Sequence, residues 1–271
     1  DGPEDPCFGG LESELAGATG GEAPPSNARP TRNIPSAPVR ILDAPEIVDD
    51  YYLNLISWSS SNILAVALGP AVYTWNADTN NVNLLCQLDE GDVVTSVSWM
   101  PSSSSGRGDQ LAVGCNSSMV QLWDAGAAKN VRTLRGHHAR VASLSWNPTQ
   151  RGLLSSGSRD SLIVNHDTRV ADSCVATFVG HRQEVCGLRW SPDGTTLASG
   201  GNENFLCLWD ARASERGSRA DEHAPRITLT EHKAAVKALA WAPFQRNLLA
   251  SGGGTADRSI KFWNSNTGSV M

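Results

Sequence analysis

Charge of either sign is sparse in this 271-residue sequence: 18% of positions are charged, and the net charge is −6. A mild acidic balance excludes a general nucleic-acid binder, which needs a basic field. No apolar run approaches the length of about 18 residues that reads as a membrane-spanning helix, and no stretch joins a basic start to an apolar middle as a signal peptide does. The expectation is a soluble intracellular chain with neither nucleic acid nor membrane as partner. Helical periodicity is also missing, because no stretch repeats its apolar residues at helical spacing for long enough to commit to a helix. The six cysteines (Cys7, Cys86, Cys115, Cys174, Cys186, Cys207) form no Cys-x-x-Cys pair and match no histidine spacing. They read as small buried hydrophobes in a reducing compartment, and no metal site is expected. Motifs of catalysis are wanting as well: no Gly-x-Ser-x-Gly elbow, no phosphate loop, no His-Glu-x-x-His, and no nucleophile with a base in register. Ser251-Gly-Gly-Gly-Thr255 is glycine-rich but carries no lysine for a phosphate, so it reads as a tight turn. Neither an enzyme nor a cofactor is expected.

What the chain does have is tryptophan. Trp58, Trp99, Trp146, Trp190 and Trp241 each follow a Val/Leu-rich stretch, and a second set, Trp75, Trp123, Trp209 and Trp263, closes four of the five repeats, with His166 in the remaining position. Spacings of 41 to 54 residues fit a four-stranded propeller blade and are too long for helical-hairpin or leucine-rich repeats. His137, His181 and His232 each lie four residues before a valine and nine before a tryptophan, and Asp160, Glu203 and Asp257 lie six before the closing position. With Trp123-Asp124 and Trp209-Asp210 added, this is the WD-repeat pattern.

A buried indole, imidazole, serine and turn carboxylate each need a partner in a low-dielectric interior, and one hydrogen-bonded chain can satisfy all four. Such a network is assigned to His181, Ser199, Glu203 and Trp209, to His232, Ser251, Asp257 and Trp263, and to His137, Ser156 and Asp160 ending on His166. These histidines are therefore structural, not catalytic bases. The first two repeats have Gly69 and Ser117 at the carboxylate position, so they are expected to rely on packing and to be softer.

The fold class is thus all-β: a WD-repeat β-propeller with five blades, at about 51–90, 91–135, 136–180, 181–230 and 231–271, out of an expected ring of about seven, the shortfall lying at the C-terminal end. Residues 1–40 hold much of the chain's proline and glycine, cannot offset their ordering entropy, and are expected to be disordered, with 41–271 forming the partial propeller. Two polar inserts, Ser102 to Asp109 and Ala213 to Pro225, read as surface loops.

Just before the first blade, Leu42 to Tyr52 packs four acids into eight residues among aliphatic and tyrosine side chains. A solvated acidic linker is one reading; an ordered strip suited to a short peptide with a basic residue and a leucine is the other. Here Leu42-Asp-Ala-Pro-Glu46, Asp50-Tyr-Tyr-Leu-Asn-Leu55, Gly180 to Trp190, Leu197 to Asn202 and Ala250 to Arg258 resemble the fizzy and fizzy-related coactivators of the anaphase-promoting complex. The resemblance runs from about Arg32 to the end, and Thr31-Arg-Asn-Ile-Pro35 is similar to the family's stretch ahead of the propeller. It implies a ubiquitin-ligase adaptor and activator that captures degradation motifs on cell-cycle proteins. By position, it implies that Asp43 and Glu46 hold the arginine of a destruction box, with Leu42 and Pro45 lining the pocket for its leucine. It implies that Asp50, Tyr51, Asn202 and Thr255 receive a Lys-Glu-Asn box on the propeller's top centre. Implied partners are subunits of the anaphase-promoting complex, cyclins and securin-like proteins, and spindle-checkpoint proteins; the implied location is nucleus and cytoplasm. A general WD-repeat scaffold and a cullin-ligase receptor, suggested by Trp209-Asp-Ala-Arg212, stand as alternatives, and the Leu42–Tyr51 strip is what a scaffold has no reason to carry.

Overall fold

Short strands separated by turns become five sheets in the structure, a computed structural model that describes residues 34–101, 110–211 and 222–271. Residues 1–33 of the Gly/Pro-rich leader and the insert Ser102–Asp109 lie outside the described residues. The chain divides into Asp1–Asp43 and Ala44–Met271. Of the first unit, 34–43 has bends and no strand, with Ile34, Val39 and Ile41 exposed. All the sheets belong to the second, and no α-helix occurs among the described residues.

Blade one holds β1 (Ile56–Trp58), β2 (Ile63–Leu68), β3 (Ala71–Asn76) and β4 (Val82–Gln87); blade two holds β5 (Val94–Trp99), β6 (Gln110–Cys115), β7 (Val120–Asp124) and β8 (Lys129–Leu134). Blade three holds β9 (Val141–Trp146), β10 (Leu153–Ser158), β11 (Leu162–Asp167) and β12 (Cys174–Val179). In blade four β13 (Val185–Trp190), β14 (Thr196–Gly201) and β15 (Leu206–Asp210) are followed by β16 (Glu222–His223) and β17 (Ile227–Leu229), and blade five is β18 (Val236–Trp241), β19 (Leu248–Gly253), β20 (Ile260–Asn264) and β21 (Ser269–Val270). The innermost strands β1, β5, β9, β13 and β18 sit side by side in chain order, which is the arrangement of a propeller.

One element departs from the sequence reading. The end of the Ala213–Pro225 insert is not loop: β16 pairs in parallel with β12 and makes blade three a five-stranded sheet. An outer strand presents unpaired N–H and C=O groups that any passing extended segment can satisfy. Two residues are too few to carry a strand period, so the pattern was silent.

The opening tryptophans turn out to be staples between blades. Trp99 Nε1 donates to Ser57 O (3.0 Å), Trp146 Nε1 to Ser98 O (3.0 Å) and Trp241 Nε1 to Arg189 O (3.0 Å), while Trp190 Nε1 donates to Ser155 Oγ (3.0 Å). Each reaches the blade before its own. Trp58 differs: its Nε1 donates locally to Asn62 Oδ1 and it is 57% exposed. Its neighbours across the sheet face, Ile56, Leu84 and Val82, are exposed too, and so are Ile260 and Phe262 on blade five. Contiguous apolar surface of this kind marks a contact face.

Blades also meet backbone to backbone. A Cβ built on Gly200 of β14 would lie 2.1 Å from Val236 O of the next blade's inner strand. Gly200→Ala must therefore push two blades apart, and overpacking of this kind is expected to cost about 1–3 kcal/mol, read from the denaturant midpoint. A variant as stable as the parent would show that the blades slide freely.

The hydrogen-bonded chains occupy one rim. In blade four Trp209 Nε1 donates to Ser199 Oγ (2.7 Å), Ser199 lies 2.6 Å from His181 Nε2, and His181 Nδ1 meets Glu203. Blade five repeats this with Trp263, Ser251, His232 and Asp257. In blade three His166 takes the indole's place: its Nε2 lies 3.1 Å from Ser156 Oγ, which is 2.8 Å from His137 Nε2, and His137 Nδ1 lies 3.0 Å from Asp160 Oδ2. In blades four and five the indole donates to the serine, and in every chain the histidine bridges serine and carboxylate. His166 is neutral here because of where it sits. Burial, helped by His137 and Arg132, pushes it down to about 3. Blade two has a substitute that the pattern did not reveal, since Ser117 Oγ donates to Asp92 Oδ2 (2.6 Å) and its N–H to Oδ1 (3.0 Å). There the acid comes from the loop entering the blade and the serine from the turn, so that rim is not left to packing alone.

Candidate functional site

The networks matter for function because Glu203 follows Asn202 in one turn and Asp257 follows Thr255 in the equivalent turn of the next blade. Pinning the carboxylate pins the turn. Over these turns runs the segment Asp50–Leu55 on its way into β1. Asn54 Nδ2 donates to Ala142 O (2.7 Å) and Cys186 O (3.0 Å), and Asn54 N donates to Thr95 O (3.1 Å). Lys237 Nζ donates to Leu53 O (2.7 Å), and Tyr51 OH donates to Ala235 O (3.1 Å). One short strap thus ties blades two, three, four and five together. Beside it opens a cavity of about 890 Å³ whose walls include Tyr51, Asn54, Trp58, Lys237 and Ile260.

Asp50 sits in a charge cluster. Arg140 Nη1 donates to Asp50 Oδ2 (2.8 Å), while Arg140 Nε and Nη2 fork onto Glu184 (2.7 and 2.9 Å). Burial pulls the Asp50 carboxyl upward, but the Tyr52 N–H, Arg140 and Lys237 outweigh it and hold the group below its ordinary range. Lys237 is itself shifted down by burial, against the pull of Cys186 and Asp50. Next to this, Tyr52 OH donates to Asn202 Oδ1 (2.7 Å) and Asn202 Nδ2 donates to Gln183 Oε1 (2.6 Å). The result is an anion and an oriented amide on one rim, with Arg140 Cζ 5.9 Å from the Tyr52 ring centre between them.

Of the residues singled out in the sequence, Asp50, Tyr51 and Asn202 come together here. Thr255 is exposed, and its carbonyl accepts from Arg258 Nε (2.9 Å). It follows Gly254, whose Cβ position lies 3.4 Å from Tyr51 OH. Leu42 and Asp43 end the first unit and are exposed; Pro45 and Glu46, also exposed, form a turn in the second, with Glu46 at φ 61°. Tyr52, Arg140, Gln183, Glu184 and Lys237 were not legible beforehand. Asp50 and Arg140 are 90 residues apart, and no local period signals such a pair.

Among the described residues no three His, Cys, Asp or Glu side chains converge to hold a metal. Burial pushes the Cys86 thiol up to about 11 and those of Cys115 and Cys186 up to about 12, so they remain protonated and unreactive.

Five blades with this repeat chemistry define a WD40-type propeller domain. The chain belongs to the CDC20/Fizzy WD40 domain family, whose model matches residues 42–271. Among its relatives, the anaphase-promoting complex subunit cdc20 of Dictyostelium discoideum is 52% identical over 88% of this chain and 45% of that protein. The B-type cell cycle switch protein ccs52A of Medicago truncatula is 47% identical over 91% of this chain and 48% of its own length. The chain spans about half the length of these curated relatives. A chain in a crystal structure of the mitotic checkpoint complex is 46% identical and superposes with a TM-score of 0.78, covering 96% of this chain and 74% of that one.

Proposed function

We propose that this chain is the propeller portion of a substrate-recognition adaptor and activator of the anaphase-promoting complex ubiquitin ligase, and that it performs no catalysis itself. The observation that carries the reading is the rim cluster, an Asp50 carboxylate held in its charged form beside the oriented Asn202 amide, in a domain of the CDC20/Fizzy family. A Lys-Glu-Asn box would place its ammonium at Asp50, with Tyr51, Asn202 and Thr255 around the remaining polar groups. A destruction box would place its guanidinium on Asp43 and Glu46 and its leucine against Leu42 and Pro45. The partners are then subunits of the ligase, cyclin- and securin-like proteins bearing these motifs, and spindle-checkpoint proteins, met in nucleus and cytoplasm.

The test is binding of a labelled destruction-box peptide by fluorescence anisotropy. Asp43→Asn combined with Glu46→Gln removes both acceptors of a charge-assisted pair, so affinity is expected to fall at least about tenfold. Undiminished binding by the double variant would defeat the assignment of these acids.

A further inference from the structure

We infer that Arg140 and Tyr52 are the positioning residues of the rim site: Arg140, clamped by Glu184, aims the Asp50 carboxylate at an incoming cation, and Tyr52 turns the Asn202 amide so that it offers only a donor. The inference rests on the reading above for the identity of the ligand and adds how that ligand is selected.

Glu184 is buried, and its two oxygens are both taken by the Arg140 fork, at 2.7 and 2.9 Å. A guanidinium is planar and rigid, so a fork fixed on one side dictates where the remaining nitrogen points. That nitrogen, Nη1, reaches Asp50 Oδ2 at 2.8 Å, and the other oxygen of Asp50 accepts the Tyr52 N–H at 2.9 Å. Each carboxylate oxygen has two acceptor sites, so Asp50 is held without being saturated. Two carboxylates share one guanidinium and Lys237 lies near enough to act on Asp50, so what the cluster offers a cation is an unsaturated, fixed carboxylate oxygen. Asn202 is constrained in the complementary sense. Its Oδ1 is occupied by the Tyr52 hydroxyl and one of its N–H groups by Gln183, so the other N–H is what a ligand can meet. The chemistry that fits is a peptide with a lysine-type cation and a carboxylate or amide oxygen within a few residues of it. Tyr52 packs under Arg140, so one ring serves both halves.

Two measurements test this on the chain. In a carbon-13 carboxyl titration, Asp50 is expected to titrate below an ordinary aspartate, to move up in Arg140→Gln, and to move part of the way back in Arg140→Lys. An Asp50 titration indifferent to Arg140 would overturn the positioning role. For binding, the probes are a synthetic Lys-Glu-Asn peptide and the same peptide with norleucine for lysine. Arg140→Gln is expected to shrink the preference for the lysine peptide about tenfold. Tyr52→Phe is expected to weaken the lysine peptide about fivefold, with no further loss when Asn202→Ser already carries the defect. Additive losses would show that Tyr52 does not act through Asn202. If the parent chain binds neither peptide, the ligand named above is wrong, while the Asp50 titration still decides whether Arg140 positions it.

Discussion

Trp209→Ala is expected to destabilise the chain by about 3–5 kcal/mol, whereas Trp58→Ala, the same substitution in the same repeat family, is expected to cost less than about 1 kcal/mol. Trp209 is 1% exposed, stacks on Phe178 at 5.1 Å between ring centres, and donates its indole N–H to Ser199. Its loss removes a large buried surface, opens a cavity, and strips Ser199 and His181 of the donor that begins their chain. Trp58 is 57% exposed and touches Trp75 edge-on at 6.1 Å, so truncation returns little surface to water. Urea denaturation of the two variants against the parent measures the difference. Similar losses at both positions would mean that burial does not set the cost, contrary to the packing described here.

A pronounced acid sensitivity between pH 6.5 and about 4 is the second large effect. His166 is buried where its neighbours carry tryptophan, and burial, with His137 and Arg132, pushes it down to about 3. Below 6.5 the unfolded chain takes up a proton that the folded chain refuses, so stability falls as pH drops toward 3, by at most about 1.4 kcal/mol per pH unit. His181 cannot produce this trend. Burial would lower it, but Cys207 and Glu203 raise it to about 9, so its contribution is complete below 6.5 and is lost only as pH rises toward 9. Nor can Asp160, Asp193 or Asp257, whose carboxyls lie below their ordinary range and lose their contribution only at more acid pH. Urea midpoints at pH 7, 6 and 5 read the slope, and His166→Gln, which keeps a polar group but does not titrate, is expected to flatten it. A slope unchanged in that variant would assign the acid loss to another group.

Much of this was legible because it is local. A blade is four strands in sequence order, each strand alternates or runs apolar over about six residues, and the histidine-to-tryptophan spacings repeat because every blade must satisfy the same buried groups. The rim residues Asp50, Tyr51 and Asn202 were legible only through resemblance. Charge and spacing said no more than that an acidic strip precedes the first blade. What stayed hidden was long-range: the clamp from Glu184 through Arg140 to Asp50, the Tyr52–Asn202 bond 150 residues apart, and the strand at Glu222–His223 that completes another blade's edge.

From the chain alone came the number of blades, the identity of the residues in each buried proton chain, and the absence of catalytic motifs, since all of these depend on neighbours within one repeat. Tertiary structure alone decided which tryptophans are staples and which is bare, because a staple needs an acceptor on a neighbouring blade within reach of its indole N–H. It likewise decided that Asp50 is already met by a guanidinium, because interactions between charges depend on distance in space and not on separation along the chain.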